Sequence, residues 1–174
     1  MHHLLLTGVL FFLSVSSSVG QTRYPKRNSL NLFAGLSRKA FMGGVGFTRR
    51  MDSVKSVSLQ IFFENIPNKG VYDRGDLNTQ YLDLSLIYRL LKINQFVTFG
   101  VHSGLSAARE KIEYTLIQRS NYQKNVFGMM AGPAFEFYIR KRFGITLKAD
   151  QRYFFNSSIG KFRWQAGLNF MFLF

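Results

Sequence analysis

One histidine, His102, lies beyond the N-terminal Met1-His2-His3 of this 174-residue chain, and it is the side chain with the widest chemical reach. Beside Ser103 and Ser106 it raises hydroxyl-nucleophile chemistry, in which a histidine takes a serine proton while an acid orients the ring. The spacing argues against that role. Gly100, His102 and Gly104 share one side of an alternating segment, and Ser103 takes the other. The expectation is a buried imidazole hydrogen-bonded to a neighbouring strand. Lipid hydrolysis stays as a third reading that rests on His102 alone. No catalytic residue, metal ligand set or cofactor is expected, because the chain has no Cys and its nine acidic residues do not cluster. Gly43-Gly44-Val45-Gly46 is followed by no Lys-Ser/Thr pair, so it is a narrow strand rather than a phosphate loop. Arg74-Gly75-Asp76 is an adhesion-like tripeptide in which Gly-Asp reads first as a turn.

Charge, by contrast, is sorted by phase. Glu64, Asp83, Arg89, His102, Glu136, Lys148, Asp150, Arg152 and Arg163 all fall on the polar side of segments that alternate with period two. Both signs are present, so a closed interior could hold them as an ion-pair network. A second basic set lies at segment ends: Lys39, Arg49, Arg50, Lys55, Lys92, Arg140, Lys141 and Arg142. Solvation or contact with lipid phosphates is its plainest role. Arg49, Arg50, Lys92 and Arg140 to Arg142 are also candidates for docking an acidic periplasmic partner.

The elements that must position these groups are strands. Eight segments are expected near 29–37, 42–50, 55–64, 78–90, 95–106, 124–139, 143–155 and 160–174. In the fourth, Leu82, Leu84, Leu86, Tyr88 and Leu90 oppose Asp83, Ser85 and Arg89. In the sixth, Phe127, Met129, Ala131, Phe135 and Phe137 oppose Gly128, Gly132, Glu136 and Arg140. Pro133 interrupts the sixth and predicts a bulge or break there. The last segment sets Phe162, Trp164, Phe170, Phe172 and Phe174 on one face against Arg163, Gln165, Gly167, Asn169 and Met171. Strands that cross a membrane need about 9–11 residues and carry aromatic girdles. The connections alternate in length, tight at 51–54, 91–94 and 140–142, long at 64–77 and 107–123. With a periplasmic N-terminus, every tight turn falls on the periplasmic side, as in outer-membrane barrels.

A lipocalin-like soluble barrel would also alternate. Three features decide against it. The polar phase is rich in glycine (Gly35, Gly100, Gly104, Gly128, Gly132, Gly144, Gly167), which suits the narrow interior of eight strands. That phase mixes charge signs, and aromatics mark strand ends. The expected fold is therefore all-β, an eight-stranded antiparallel transmembrane outer-membrane β-barrel over 29–174. A signal peptide over 1–20, with cleavage after Gly20, precedes a short periplasmic lead over 21–28. Leu4 to Leu13 forms the apolar core of that peptide, and Ser14 to Ser18 interrupt it before it reaches the roughly 20 residues of a membrane-spanning helix.

The net charge of +14 and pI near 10.4 admit nucleic acid, lipid phosphate or acidic proteins as partners. The basic residues are scattered in runs of at most three, so direct nucleic-acid binding is not expected, and outer-membrane lipid is the first partner.

The lead Gln21-Thr-Arg-Tyr-Pro-Lys26, the segments Thr79 to Tyr88 and Phe96 to Leu105, and Ser158-Ile-Gly-Lys-Phe-Arg-Trp-Gln-Ala-Gly-Leu-Asn-Phe170 resemble, in order and spacing over 21–174, the TraO family of conjugative transposon proteins from Bacteroidetes. The resemblance implies a non-enzymatic outer-membrane component of a conjugative DNA-transfer apparatus, working beside other proteins of that apparatus and carrying no catalytic residues. Eight strands leave no lumen for DNA, so such a component would anchor or stabilise the complex. The alternative is an independent outer-membrane barrel serving adhesion, envelope stability or small-ligand binding, unrelated to conjugation.

Overall fold

The computed structural model describes residues 28–37, 40–66, 76–93, 96–113, 122–140, 142–157 and 160–174. The expected signal peptide, residues 21–27 of the lead, Lys39, Arg74-Gly75, Lys141 and Ser158-Ile159 lie outside them. The described residues form eight strands: β1 (Asn28–Ser37), β2 (Phe41–Arg50), β3 (Lys55–Ile66), β4 (Asp76–Lys92), β5 (Val97–Glu113), β6 (Tyr122–Arg140), β7 (Phe143–Phe154) and β8 (Phe162–Leu173). Each pairs antiparallel with its sequence neighbours, and β8 returns to β1, closing a barrel. At the seam, Asn28 N–H donates to the Phe174 carbonyl at 3.0 Å and Phe174 N–H to the Asn28 carbonyl at 2.9 Å.

The barrel is inside-out. Glu110, Arg152, Asp83, His102 and Asn169 are each no more than 2% exposed, whereas Leu32, Phe63, Leu105 and Phe127 are more than half exposed on the outer wall. Soluble proteins keep contiguous apolar patches to a few hundred Å². An apolar wall on every strand around a charged interior is the inverse of a soluble barrel, and it matches lipid outside. All five aromatics singled out on the last strand, Phe162, Trp164, Phe170, Phe172 and Phe174, point outward.

Glycine makes room inside. Gly35 and Gly167 face each other across the β1–β8 seam. A Cβ on either would lie 2.6 Å from Phe33 Cζ, whose ring covers both. Phe62 lies over Gly44 and Phe154 over Gly128 in the same way. Large rings placed on empty strand positions fill the lumen without widening it.

The structure departs from expectation at the long connections and at the end of β6, and at Pro133 it decides between the two expected alternatives. First, the segment 107–123 is not a long loop: β5 runs to Glu113 and β6 begins at Tyr122. Ala108 and Glu110 are buried while Arg109 and Lys111 are exposed. The strand continues past the lipid, where its outer face is solvated and needs no apolar residues. Likewise the connection expected over 64–77 shrinks, since β3 ends at Ile66 and β4 begins at Asp76. Second, Pro133 gives a break without a bulge. Pairing with β7 lapses at Gly132 and Pro133 and resumes at Ala134 in the same register. Third, the register shift in β6 falls between Tyr138 and Arg140, with another in β4 between Arg89 and Leu91. One extra residue moves the rest of the strand off its phase, so Arg140 is exposed rather than on the lumen side.

Candidate functional site

Charge-bearing side chains from seven strands meet in the lumen as three tiers. The tier nearest the tight turns is built on Glu136 of β6. Arg89 of β4 grips it with two hydrogen bonds, Nε to Oε2 at 2.6 Å and Nη2 to Oε1 at 3.0 Å. The remaining Nη1 of Arg89 donates to Ser56 Oγ at 2.9 Å. Tyr138 OH donates to Glu136 Oε2 at 2.6 Å. Arg50 hydrogen-bonds Tyr138 OH and stands 4.0 Å from the same carboxylate.

The middle tier crosses the lumen. Arg152 of β7 donates Nη1 to Asp83 Oδ1 at 3.0 Å and Nη2 to Asp83 Oδ2 at 2.6 Å. Ser106 Oγ donates to Asp83 Oδ1 at 2.6 Å and accepts from Arg152 Nη1 at 3.0 Å. Asp150 lies beside them, 3.8 Å from Arg152 Nη2, holding His102 Nε2 on one oxygen and accepting from Gln165 Nε2 at 2.5 Å on the other.

The outer tier joins Glu64, Tyr81, Glu110, Ser157 and Arg163. Arg163 Nη2 pairs with Glu110 and donates to Ser157 Oγ at 2.8 Å, and its Nη1 donates to Tyr81 OH at 3.1 Å. Tyr81 OH in turn donates to Glu64 Oε2 at 2.5 Å. The Tyr81 ring centroid lies 4.9 Å from the Arg152 guanidinium, tying this tier to the middle one by a cation–π contact. Arg152 and Arg163 are direct cross-strand partners. Like charges so placed repel, and a separate carboxylate for each, Asp83 and Glu110, offsets this.

All nine residues expected in the lumen network therefore point inward. Eight are in charge-assisted hydrogen bonds with a carboxylate, or are that carboxylate. Lys148 is the exception: among the described residues its one acceptor is Gln60 Oε1 at 3.4 Å. Four network members escape the sequence pattern. Arg50, expected in a basic turn, is turned into the lumen and only 9% exposed. It lies two residues past Thr48 on the inward phase of β2, which a count by twos from Gly44 reaches. Glu110 is hidden by the expected loop, although it is four steps of two on from His102 along β5. Tyr81 and Tyr138 present apolar bodies to any hydrophobicity count, and only their hydroxyls betray the lumen.

Among the described residues His102 has no serine partner. Ser103 is exposed on the outer wall, and Ser106 is held by Asp83 and Arg152. The His102 ring bonds Asp150 of β7 rather than the neighbouring strand expected, because inward side chains of a narrow barrel reach past the adjacent strand, and its Nδ1 has no partner among the described residues. Such an arrangement can orient and neutralise charge, and it has no activated hydroxyl beside the imidazole.

The described residues of the expected basic turns, other than Arg50, make a rim. Arg49, Lys92, Arg140 and Arg142 are exposed at the barrel end that carries both described termini and the tight turns. Asp52, in the β2–β3 turn of this rim, accepts the Val54 and Lys55 N–H groups at 2.7 and 2.6 Å.

No protein-family model matches the chain, and no curated protein matches it either. Solved structures do. The N-terminal β-barrel domain of OprF from Pseudomonas aeruginosa superposes with a TM-score of 0.66 at 17% identity, over 86% of this chain and 98% of that one. A major outer membrane protein from Thermus thermophilus gives 0.68 at 12% identity, over 87% and 100%. Ail, the attachment invasion locus protein of Yersinia pestis, gives 0.61 at 11% identity, over 87% and 100%. At these identities the likeness is one of fold: the chain is an eight-stranded barrel of the outer-membrane type.

Proposed function

We propose that this chain is exported through its N-terminal segment to the outer membrane of a Gram-negative cell and acts there as a non-enzymatic, non-conducting anchor. The observation that carries the reading is the lumen brace of Arg152, Asp83 and Ser106, with Arg89 and Glu136 below it and Arg163 and Glu110 above it. Three cross-linked tiers leave the two rims as the working surfaces. An attachment protein, Ail, is among the barrels of the same shape, and adhesion, envelope stability or small-ligand binding through the loop rim is the role the fold supports best. Replacing residues 67–75 and 114–121 with short Gly-Ser turns tests it in a deletion strain. Loss of surface attachment or of detergent resistance, with the barrel still assembled, is the expected result. Full function of the trimmed barrel would contradict it.

A second reading is favoured by the likeness of residues 158–170 to the TraO family. Here the barrel anchors a conjugation apparatus, docking an acidic periplasmic partner on Arg49, Lys92 and Arg140 to Arg142. A donor with an in-frame deletion would then lose transfer, a copy of the gene would restore it, and one reversed in charge at Arg140, Lys141 and Arg142 would not. Unchanged transfer from the deletion donor would leave the independent anchor.

A further inference from the structure

The two rims of the barrel are built differently. At the outer end, Arg109 and Lys111 stand on the outer face of β5, flanked across the ladder by Gln80 and Asn125 and by Asn78 and Gln123, so a polar collar separates lipid from loops. At the inner end the apolar wall runs into the tight turns themselves. Met51 is exposed two residues after Arg49, Leu91 and Ile93 on either side of Lys92, Ile139 before Arg140, and Phe143 after Arg142. Apolar side chains of this kind lie at the boundary of the hydrocarbon, and the cations between them stand at the depth of the lipid phosphates. Lys55 belongs to the same level, 5.8 Å from the centroid of the Tyr88 ring.

Cations outnumber acids on that rim. Arg49, Lys55, Arg140 and Arg142 are exposed there, against Asp52 among the described acidic side chains. Lys92, exposed beside them, has a partner of its own, and the excess holds without it. The turns over 51–54, 91–94 and 140–142 and the lead over 21–28 contain no acid but Asp52, and Lys141 adds a further cation. A carboxylate on Phe174 would lower the excess by one and keep its sign. Inside the barrel, Glu136 is held by Arg89 and faces Arg50, so it does not neutralise the rim. Guanidinium groups match phosphate geometry. A zwitterionic headgroup brings its own ammonium, whereas an acidic one leaves its charge for the rim. The apolar flanks, continuous with the lipid-facing wall, favour lipid over a soluble acidic protein. We propose that the inner rim binds acidic phospholipid headgroups of the phosphatidylglycerol class, which fixes the depth of the barrel. This rests on the reading of the chain as an outer-membrane anchor.

Vesicles of phosphatidylglycerol and phosphatidylcholine in equal parts test it. The folded chain, inserted and then extracted in mild detergent, is weighed with its retained lipids by intact-complex mass spectrometry. Phosphatidylglycerol should be retained over phosphatidylcholine by roughly fivefold for each headgroup held by one cation. Extraction in about 1 M salt, where charges are screened beyond about 3 Å, should bring the ratio close to parity. Arg49→Gln, Lys55→Gln, Arg140→Gln and Arg142→Gln combined should do the same with the barrel still inserted. Arg109→Gln with Lys111→Gln, at the outer rim, should keep the preference. Equal retention of the two lipids by the wild-type chain would overturn the proposal and leave the inner rim to an acidic protein. A preference lost only in the outer-rim variant would overturn it too. Failure to insert at all would overturn the anchor reading, and this inference with it.

Discussion

Arg152 on β7 and Asp83 on β4 meet side-on across the lumen, two parallel N–H···O bonds at 3.0 and 2.6 Å between residues 69 apart in sequence. Both are no more than 1% exposed. Their strands are not neighbours in the sheet, so the pair braces the barrel across its bore. Ser106 of β5 completes the bridge by bonding both.

Removing one member of this pair strands a buried charge, which costs about 3–5 kcal/mol. Asp83→Ala should therefore lower stability by that order, measured by urea unfolding in lipid vesicles. Asp83→Leu with Arg152→Met should recover a large part of the loss, because an apolar pair leaves no charge uncompensated. Costs that simply add would show that the two side chains do not act together.

The glycines give an internal contrast. Gly167→Ala sets a Cβ 2.6 Å from both the Ala34 carbonyl and Phe33 Cζ, and overpacking of this kind costs about 1–3 kcal/mol. Gly43→Ala meets nothing within 4 Å on the outer wall, and loss of chain freedom in the unfolded state should stabilise it by about 0.4–1 kcal/mol. Opposite signs in the same unfolding assay are the expected outcome, and equal costs would mean that Phe33 does not cover the Gly35–Gly167 pair.

The outer wall is tested by charge. Leu84 stands midway along β4, half exposed on the apolar face. Leu84→Arg should cost about 2–4 kcal/mol in a bilayer, with Leu84→Ala costing less. A neutral effect of the arginine would mean that this face meets water.

The strand count, the face each strand turns to lipid and all nine expected lumen charges are legible in period-two alternation, because one residue per step leaves no choice of side. The features that escape it lie where another rule takes over. Above the lipid the outer face is solvated, so Arg109 and Lys111 hide the strand that carries Glu110 inward. At the rim, the bulge at Ile139 resets the phase and sends Arg140 out, while β2 keeps its phase to the end and takes Arg50 in. The bulge has no signal in residue type, whereas Arg50 stays in phase and only its place at the segment end suggests a turn. The partners of the charges are also beyond reach, because Arg152–Asp83 depends on how the closed barrel folds across its bore. Pro133 breaks the ladder without a bulge, since an interruption of two residues on one side of a strand needs no extra residue.

The two arginines of the β2 end separate fold from surface. Arg49 is exposed, and Arg49→Glu should change stability by no more than about 0.5 kcal/mol. Arg50→Glu sets a second carboxylate against Glu136 and should destabilise by several times that. Equal effects in urea unfolding would return Arg50 to the rim.

A transmembrane barrel whose bore is filled by its own charged side chains should insert and yet pass no current. Conductance of the folded chain in planar lipid bilayers tests both halves of that statement. Insertion, scored by protection of the strands from protease, should come with no steady unitary current under voltage. Stable ion-conducting steps from the wild-type chain would contradict it, since the three tiers could not then close the lumen.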